Sequence, residues 1–237
     1  MIIGGLEKFS LIDYPGHLAA VIFTKNCNFR CHFCYNPMLV WPSTGDRNQE
    51  DHPIIKEDDL LDFLKKRIGK LDAVVITGGE PTLHTDLPEF IIKMREIGFK
   101  VKLDTNGTNP QLIDSLIKDK IIDYIAMDIK APLHKYDLVT GVQPDMERIM
   151  ESIHLLMKGY VAYEFRTTIV PQLLNKDDIE NIGKTINGAE KWYLQQFRSD
   201  TQLVNKNFEG IPSYSEEELL EMKNIGNKYV KLCELRG

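Results

Sequence analysis

The sequence is short of positive charge, of long apolar runs and of cysteine. Its 29 lysines and arginines are outnumbered by 35 acidic residues, which gives a formal net charge of −6 at pH 7. A nucleic-acid-binding face needs clustered basic residues, so this balance argues against one. No apolar run approaches the roughly 18 residues of a membrane-spanning helix, and the amino terminus lacks the basic and apolar regions of a secretory signal. We therefore expect a cytoplasmic protein that binds neither nucleic acid nor membrane.

Four cysteines are present, and three of them fall within eight residues. Cys27, Cys31 and Cys34 have the spacing C-x3-C-x2-C, whereas Cys233 stands alone near the end of the chain. Thiols stay reduced in the cytosol, so a tight cluster indicates metal binding rather than a disulfide. Three thiolates can bind three irons of a cubic [4Fe–4S] cluster and leave the fourth iron open for chemistry. We expect such a cluster on these three cysteines and a packing role for Cys233 on the last helix.

A structural zinc site is the alternative for these cysteines. Such a site usually takes four ligands, arranged as two separated C-x2-C pairs. Here the fourth ligand could come only from Cys233 or His32. The spacing therefore favours an iron–sulfur cluster, and metal content would separate the two readings.

Apolar periodicity predicts strands and helices that alternate along the chain. The predicted strands span residues 17–24, 73–77, 100–104, 124–129, 161–170 and 191–197. The predicted helices span residues 55–68, 86–97, 110–118, 145–157, 176–186 and 215–232, and residues 41–53 are predicted to form a surface loop. Such alternation requires parallel strands joined by right-handed crossovers. Six units are too few for a closed eight-fold barrel, so we expect an α/β fold, a partial (β/α)6 TIM-like barrel, in a single domain over residues 1–237.

Residues able to bind a ligand or take part in catalysis occur at the carboxyl ends of the predicted strands, where barrel enzymes carry their catalytic groups. They are Gly78, Gly79 and Glu80 on the second strand, Asp104, Thr105 and Asn106 on the third, Asp128 and Lys130 on the fourth, Arg166 on the fifth and Gln196 on the sixth. Glycines let a backbone approach a ligand closely, and a glutamate can bind a cationic amine. The alternative is ordinary structure: a plain turn, solvated acids, a surface lysine and a paired arginine.

The cysteine spacing, with Phe33 directly before the last cysteine, resembles the signature of the radical S-adenosylmethionine (radical SAM) superfamily. That resemblance implies a radical SAM barrel in which the open iron binds the amino and carboxylate groups of the cofactor. One electron from the cluster then cleaves the sulfonium and yields a 5′-deoxyadenosyl radical. This chemistry belongs to the cofactor, while the protein orients and shields it.

The strand-end motifs extend the resemblance. The Gly-Gly-Glu sequence is similar to the superfamily motif that holds the methionine amino group. The third and fourth strand ends resemble activating enzymes of the pyruvate formate-lyase type, in which the aspartates lie by the cofactor and a monovalent cation and the lysine meets the methionine carboxylate. The resemblance thus implies a cofactor-binding set of Phe33, Gly78, Gly79, Glu80, Asp104, Asn106, Asp128, Lys130, Arg166 and Gln196. It implies a cation at Asp104, Thr105 and Asp128.

Two flanking segments narrow the resemblance to a group of activating enzymes. They are residues 11–16, which precede the first strand, and residues 35–37, which follow the cysteines. The chain is most similar to activating proteins of anaerobic ribonucleoside-triphosphate reductase. This implies a glycyl-radical enzyme as protein substrate and a flavodoxin or ferredoxin-type electron donor. The alternative is a radical SAM enzyme that acts on a small molecule, such as a 7-carboxy-7-deazaguanine synthase.

Overall fold

The computed structural model describes residues 1–41 and 53–236 as strands and helices that alternate along the chain. The strands are β1 Ile3–Ser10, β2 Ala19–Thr24, β3 Ala73–Gly78, β4 Lys100–Thr105, β5 Tyr124–Asp128, β6 Ala162–Ile169, β7 Lys191–Gln196 and β8 Leu232–Arg236. The helices are α1 Pro37–Val40, α2 Glu57–Lys65, α3 Leu87–Ile97, α4 Pro110–Lys118, α5 Tyr136–Thr140, α6 Met146–Met157, α7 Lys176–Thr185 and α8 Glu216–Gly226. All but the two ends of the loop predicted at 41–53 lies outside the described residues.

The chain divides into two compact units, each built from more than one segment. The first unit comprises Met1–Asn28, Met38–Thr105 and Gln111–Ile125, and the second comprises Phe29–Pro37, Asn106–Pro110 and Ala126–Gly237. The predicted single domain over 1–237 stays a prediction. Within residues 1–41 and 53–236, the structure has no helix with the length and apolar character of a membrane span.

In the first unit, β1 to β4 follow one another in chain order. β1 runs antiparallel to β2, while β2, β3 and β4 are parallel. Strands β2 and β3 are almost entirely apolar and buried on both faces, as expected for parallel strands covered on both sides. The register pairs Thr24 with Gly78, so the carboxyl ends of β2 and β3 lie level with each other. Candidate side chains from both strand ends are thereby placed at one edge.

In the second unit, β6, β7 and β8 are parallel neighbours. The predicted helix over 215–232 is wrong beyond Gly226, where α8 ends and the chain turns into β8. A Cβ atom on Gly226 would lie 2.5 Å from the Cys233 sulfur, so glycine at this helix end lets β8 return against α8. Cys233 is therefore a fully buried strand residue, not a helical one. The amino-terminal strand β1 is the other strand that the periodicity did not predict.

Candidate functional site

The loop that carries Cys27 is fixed by backbone hydrogen bonds within the first unit. Directly after β2, Asn26 adopts a left-handed conformation with φ of 74°. Its N–H donates to the carbonyl of Leu39 at 2.7 Å, and the N–H of Cys27 donates to that of Val40 at 3.2 Å. The short helix α1, which follows the cysteine motif in sequence, therefore holds the first cysteine at the end of β2.

The glycine pair after β3 packs directly against this loop. A Cβ atom on Gly79 would lie 2.0 Å from the carbonyl oxygen of Asn26, so only glycine fits. The close approach allows the N–H of Gly79 to donate to Thr24 O at 2.8 Å and that of Glu80 to donate to Asn26 O at 2.7 Å. The side-chain oxygen of Asn26 is buried and has no hydrogen-bond partner among the described protein atoms. The predicted Gly-Gly-Glu motif thus helps to position Cys27 and places an unsatisfied acceptor beside it.

Glu80 is buried, and three donors orient its carboxylate. Its Oε1 atom accepts from the N–H of Thr82 at 3.1 Å, from the Thr82 hydroxyl at 2.5 Å and from the Thr105 hydroxyl at 2.7 Å. An ionised carboxylate with several donors is a rigid anionic group, suited to an incoming ammonium. The structure thus brings together the predicted residues Glu80 and Thr105 from neighbouring strand ends.

Lys102 is a charged residue that the sequence analysis did not identify. Its side chain is completely buried, and its Nζ atom forms an ion pair with Asp104 Oδ1. Residues two apart on a strand share a face, which places both side chains on the same side of β4. A lysine two residues before an aspartate, with the apolar residues Val101 and Leu103 between and beside them, was the available signal.

In the second unit, a tight turn holds Cys31, Phe33 and Cys34. The N–H of Cys34 donates to the carbonyl of Cys31 at 3.0 Å. Cys31 and Phe33 are buried, whereas Cys34 is partly exposed. Burial raises the pKa of the Cys34 thiol, and Lys130 and a backbone hydrogen bond from Asn36 oppose that rise. The turn therefore places two predicted ligands, neither of them in a disulfide, on one short segment.

Residues 203–208, which follow β7, stabilise the turn that carries Cys31 and Cys34. The N–H groups of Val204 and Asn205 donate to the carbonyls of Cys34 and His32 at 3.3 and 3.0 Å. The Phe208 ring stacks on His32 with centroids 5.6 Å apart and planes 3° from parallel. No local sequence signal pointed to residues 203–208, because their contacts depend on the tertiary fold.

Lys130, a predicted cofactor-binding residue, lies among a carboxylate and two aromatic side chains. Its Nζ atom forms an ion pair with Asp128 at 2.9 Å and lies 5.8 Å from the centre of the Phe33 ring. The backbone N–H of Lys130 donates a hydrogen bond to the Tyr136 hydroxyl. Burial would lower the pKa of Lys130, but the charge of Asp128 and the nearby cysteines raise it above its ordinary value. Lys130 therefore carries a positive charge beside two of the predicted cluster ligands.

Asp128 is held by two cations at once. Besides Lys130, it accepts from the Nε atom of Arg166 at 2.9 Å. Burial alone would raise the pKa of Asp128, but the charges and hydrogen bonds of Arg166 and Lys130 outweigh it and lower the pKa to about 2. The structure thus joins three predicted residues, Asp128, Lys130 and Arg166, in one ionised network.

Asn106 and Gln196 have local roles in the structure. The Asn106 side chain is buried and accepts from the N–H and hydroxyl of Thr108, which shapes the turn after β4. Gln196 lines a cavity of about 370 Å³ together with Leu194, Glu216, Leu219, Leu235 and Arg236. The strand register aligns Arg166 with Tyr193, and Gln195 is the next residue on that face of β7. The alternation therefore favours Gln195 over Gln196 as a neighbour of Arg166.

The donor set fits the cofactors that the motif implies. Cys27, Cys31 and Cys34 are not joined in disulfides, so each can offer the thiolate that an iron–sulfur cluster requires. In the first unit, Asn26 directly before Cys27 has an unsatisfied acceptor, and in the second unit Lys130 has an ammonium fixed by Asp128. In residues 1–41 and 53–236, no three histidine, cysteine or acidic side chains converge as one metal ion requires. A cubic cluster binds each thiolate through a different iron, so its ligands need not converge on a point.

The monovalent cation expected at Asp104, Thr105 and Asp128 stays a prediction. In the first unit, the Lys102 ammonium occupies Asp104. In the second unit, Lys130 and Arg166 occupy Asp128. Both carboxylates to which the resemblance assigned the cation thus form ion pairs with side chains of the chain itself.

Comparison with known proteins identifies the family. Residues 21–186 match the model of the radical SAM superfamily. The chain is 38% identical to a Methanocaldococcus jannaschii protein named provisionally as a glycyl-radical enzyme activating enzyme, over 99% of this chain and 95% of that protein. It is 27% identical to the pyruvate formate-lyase-activating enzyme of Clostridium pasteurianum, over 83% of this chain and 82% of that enzyme. Both relatives agree with the activating-enzyme resemblance seen in the motifs.

A solved structure confirms the fold. The chain aligns with Streptococcus suis SuiB bound to S-adenosylmethionine at a TM-score of 0.68 and 18% identity, over 92% of this chain. The chain spans half the length of that protein. The match confirms the predicted α/β fold with a mostly parallel sheet and is consistent with a partial barrel. With the cysteine motif, the strand-end residues and the family match in agreement, the chain belongs to the radical SAM superfamily of enzymes.

Proposed function

We propose that the chain is an activating enzyme that removes a hydrogen atom from a glycine of a partner glycyl-radical enzyme. The observation that carries this proposal is the 38% identity with the M. jannaschii relative, which extends over 99% of the chain. An alignment of this extent covers the candidate residues in both units. The family match at residues 21–186 also crosses both units, which supports one catalytic domain over residues 1–237.

Three cysteines, Cys27, Cys31 and Cys34, would hold the [4Fe–4S] cluster. When bound, the cluster supplies the single electron for reductive cleavage of S-adenosylmethionine. The chain contributes the fixed backbone around Cys27 and the fastened turn of Cys31 and Cys34. Because both segments are tied by backbone hydrogen bonds, the thiols are held in place before the cluster binds.

The strand-end charges would bind the methionine part of S-adenosylmethionine. Glu80, oriented by three donors, would accept the cofactor's amino group. Lys130, kept positive by Asp128, would bind its carboxylate. Arg166 holds Asp128 from the other side and so limits the movement of Lys130. The Phe33 ring centre lies 5.8 Å from the Lys130 ammonium, within the range of a cation–π contact.

The partner that we propose is an anaerobic ribonucleoside-triphosphate reductase, with reducing equivalents from a flavodoxin or ferredoxin-type protein. We place the reaction in the cytoplasm, without nucleic-acid or membrane contact. The resemblance over nearly the whole chain supports this choice of partner, and residues 11–16 and 35–37 support an activating enzyme.

The test measures the glycyl radical directly. Reduced, cluster-loaded protein is mixed anaerobically with S-adenosylmethionine and the anaerobic ribonucleotide reductase of the same organism, and the EPR spectrum is recorded. We expect a glycyl doublet that needs all three components. A reductase variant with alanine at the radical glycine is the matched control and should give no doublet. If no glycyl-radical enzyme of that organism yields the doublet and a small molecule is consumed instead, the deazaguanine-synthase-like alternative is correct.

A further inference from the structure

The ion pair between Lys102 and Asp104 is buried as completely as any charged pair among the described residues. The side chain of Lys102 is 0% exposed and that of Asp104 is 9% exposed. Lys102 is aligned with Val75 of β3. Val75 belongs to a buried apolar cluster with Tyr14, Ala19, Val21, Ala73 and Tyr124. The Lys102 side chain thus lies on the sheet face of this apolar cluster, and its ammonium pairs with Asp104.

A charge in such surroundings is costly unless an opposite charge compensates it. Asp104 is the ion-pair partner of Lys102 in the described structure, at Oδ1. Asp104 in turn lies directly before Thr105, whose hydroxyl orients Glu80. The ammonium therefore compensates a carboxylate that is two residues away on the same strand face, next to the candidate cofactor residues.

We propose that Lys102 is a positioning residue that acts as a built-in counter-ion for Asp104, in the place where the resemblance implied a monovalent cation. A lysine ammonium carries the charge of an alkali cation and three hydrogen-bond donors on a covalent tether. The tether makes the charge independent of the salt in solution. Asp104 is consequently ionised and oriented without a bound alkali ion. The inference goes beyond the proposed function, since it holds whichever substrate the enzyme attacks.

The experiment replaces the tethered cation by a free one. The full chain and its Lys102→Ala variant are reconstituted anaerobically with the cluster. Their thermal unfolding midpoints are then measured in sodium, potassium, ammonium, methylammonium and choline chlorides at equal ionic strength. For the unaltered protein we expect a midpoint that does not depend on the cation. For Lys102→Ala we expect a lower midpoint that rises saturably with potassium, ammonium or methylammonium, but not with the bulky choline.

Lys135→Ala is the matched control. Lys135 also pairs with a buried aspartate, Asp178, at 2.7 Å, but its side chain is 28% exposed. Its removal leaves a site open to water, so small cations should not restore the midpoint selectively. Equal rescue of both variants would show a general salt effect and overturn the proposal.

Two further results would also contradict it. One is an unaltered protein that small cations stabilise saturably, with the effect lost in Asp104→Asn, because a cation would then bind Asp104 despite Lys102. The other is a Lys102→Ala variant that is indifferent to all five salts. Should Lys102→Ala not fold, Lys102→Met is compared with the double variant Lys102→Met/Asp104→Asn. The proposal requires the double variant to be the more stable, and an equal or lower stability refutes it.

Discussion

Replacing Gly79 by alanine should loosen the loop that carries Cys27. The new Cβ atom would lie 2.0 Å from the Asn26 carbonyl oxygen, whereas ordinary van der Waals contact begins at 3.4 Å. The two backbone segments therefore have to separate by about 1.4 Å. The atom in the way belongs to the backbone, so no side-chain rotation relieves the contact.

The separation has a calculable cost. It lengthens the hydrogen bonds from Gly79 to Thr24 and from Glu80 to Asn26, now 2.8 and 2.7 Å, beyond bonding distance. Each backbone group left unsatisfied in a buried place costs about 1–3 kcal/mol, so the two bonds together represent about 2–6 kcal/mol. Cys27 is the residue after Asn26 and moves with it, so iron binding should fall as well.

Urea denaturation of the metal-free protein and iron counting after anaerobic reconstitution measure the two effects. Gly98→Ala is the matched control, because Gly98 has a φ of 107° but no atom within 4 Å of a Cβ. Its expected cost is about 1–2 kcal/mol from the left-handed backbone, with full iron content. The reasoning is refuted if Gly79→Ala keeps its full iron content and is no less stable than Gly98→Ala.

Three other predictions concern charges and the remaining cysteine. Lys130→Ala and Glu80→Ala should each weaken S-adenosylmethionine binding by about 1.5–3 kcal/mol, roughly tenfold to a hundredfold in Kd, while iron is retained. Anaerobic calorimetry measures this affinity. Unchanged affinity in both variants would show that these residues are structural. Cys233→Ser should retain the full cluster, as measured by iron counting and EPR, although the buried serine hydroxyl lowers the stability of the protein. Loss of the cluster would contradict the ligand assignment. Asp128 has its pKa lowered from 3.8 to about 2, so its ionised form contributes about 2 kcal/mol of stability above pH 4, and this is lost as the pH falls from about 4 to 2. Urea titrations of the metal-free protein at several pH values should show a flatter acid limb for Asp128→Asn, and parallel limbs would contradict the assignment.

The sequence predicted the alternating strands of the fold because parallel buried strands leave apolar runs that are visible locally. The predicted strand over 124–129, for example, agrees with β5 to within one residue. The periodicity did not predict strand β1, because its segment contains Gly4, Gly5 and three exposed positions and has no clear apolar run. Strand β8 was not predicted, because the apolar periodicity of α8 continues in the sequence past Gly226, the residue at which the helix ends.

The chemistry of the candidate site was determined by the sequence alone. Cys27, Cys31 and Cys34 are close along the chain, so their spacing predicts the ligand set without any knowledge of the fold. The glycine pair before Glu80 indicated a close backbone approach, with a plain turn as the alternative, and the structure shows the close approach at Gly79.

The tertiary structure alone decided which charges meet. Asp128 and Arg166 are 38 residues apart, and Asn205 reaches His32 across 173 residues. Lys102 pairs with Asp104 inside the protein because β4 is buried on both faces from Val101 to Thr105. Such pairings depend on sheet register and on burial of particular faces, and these emerge only when distant segments pack together.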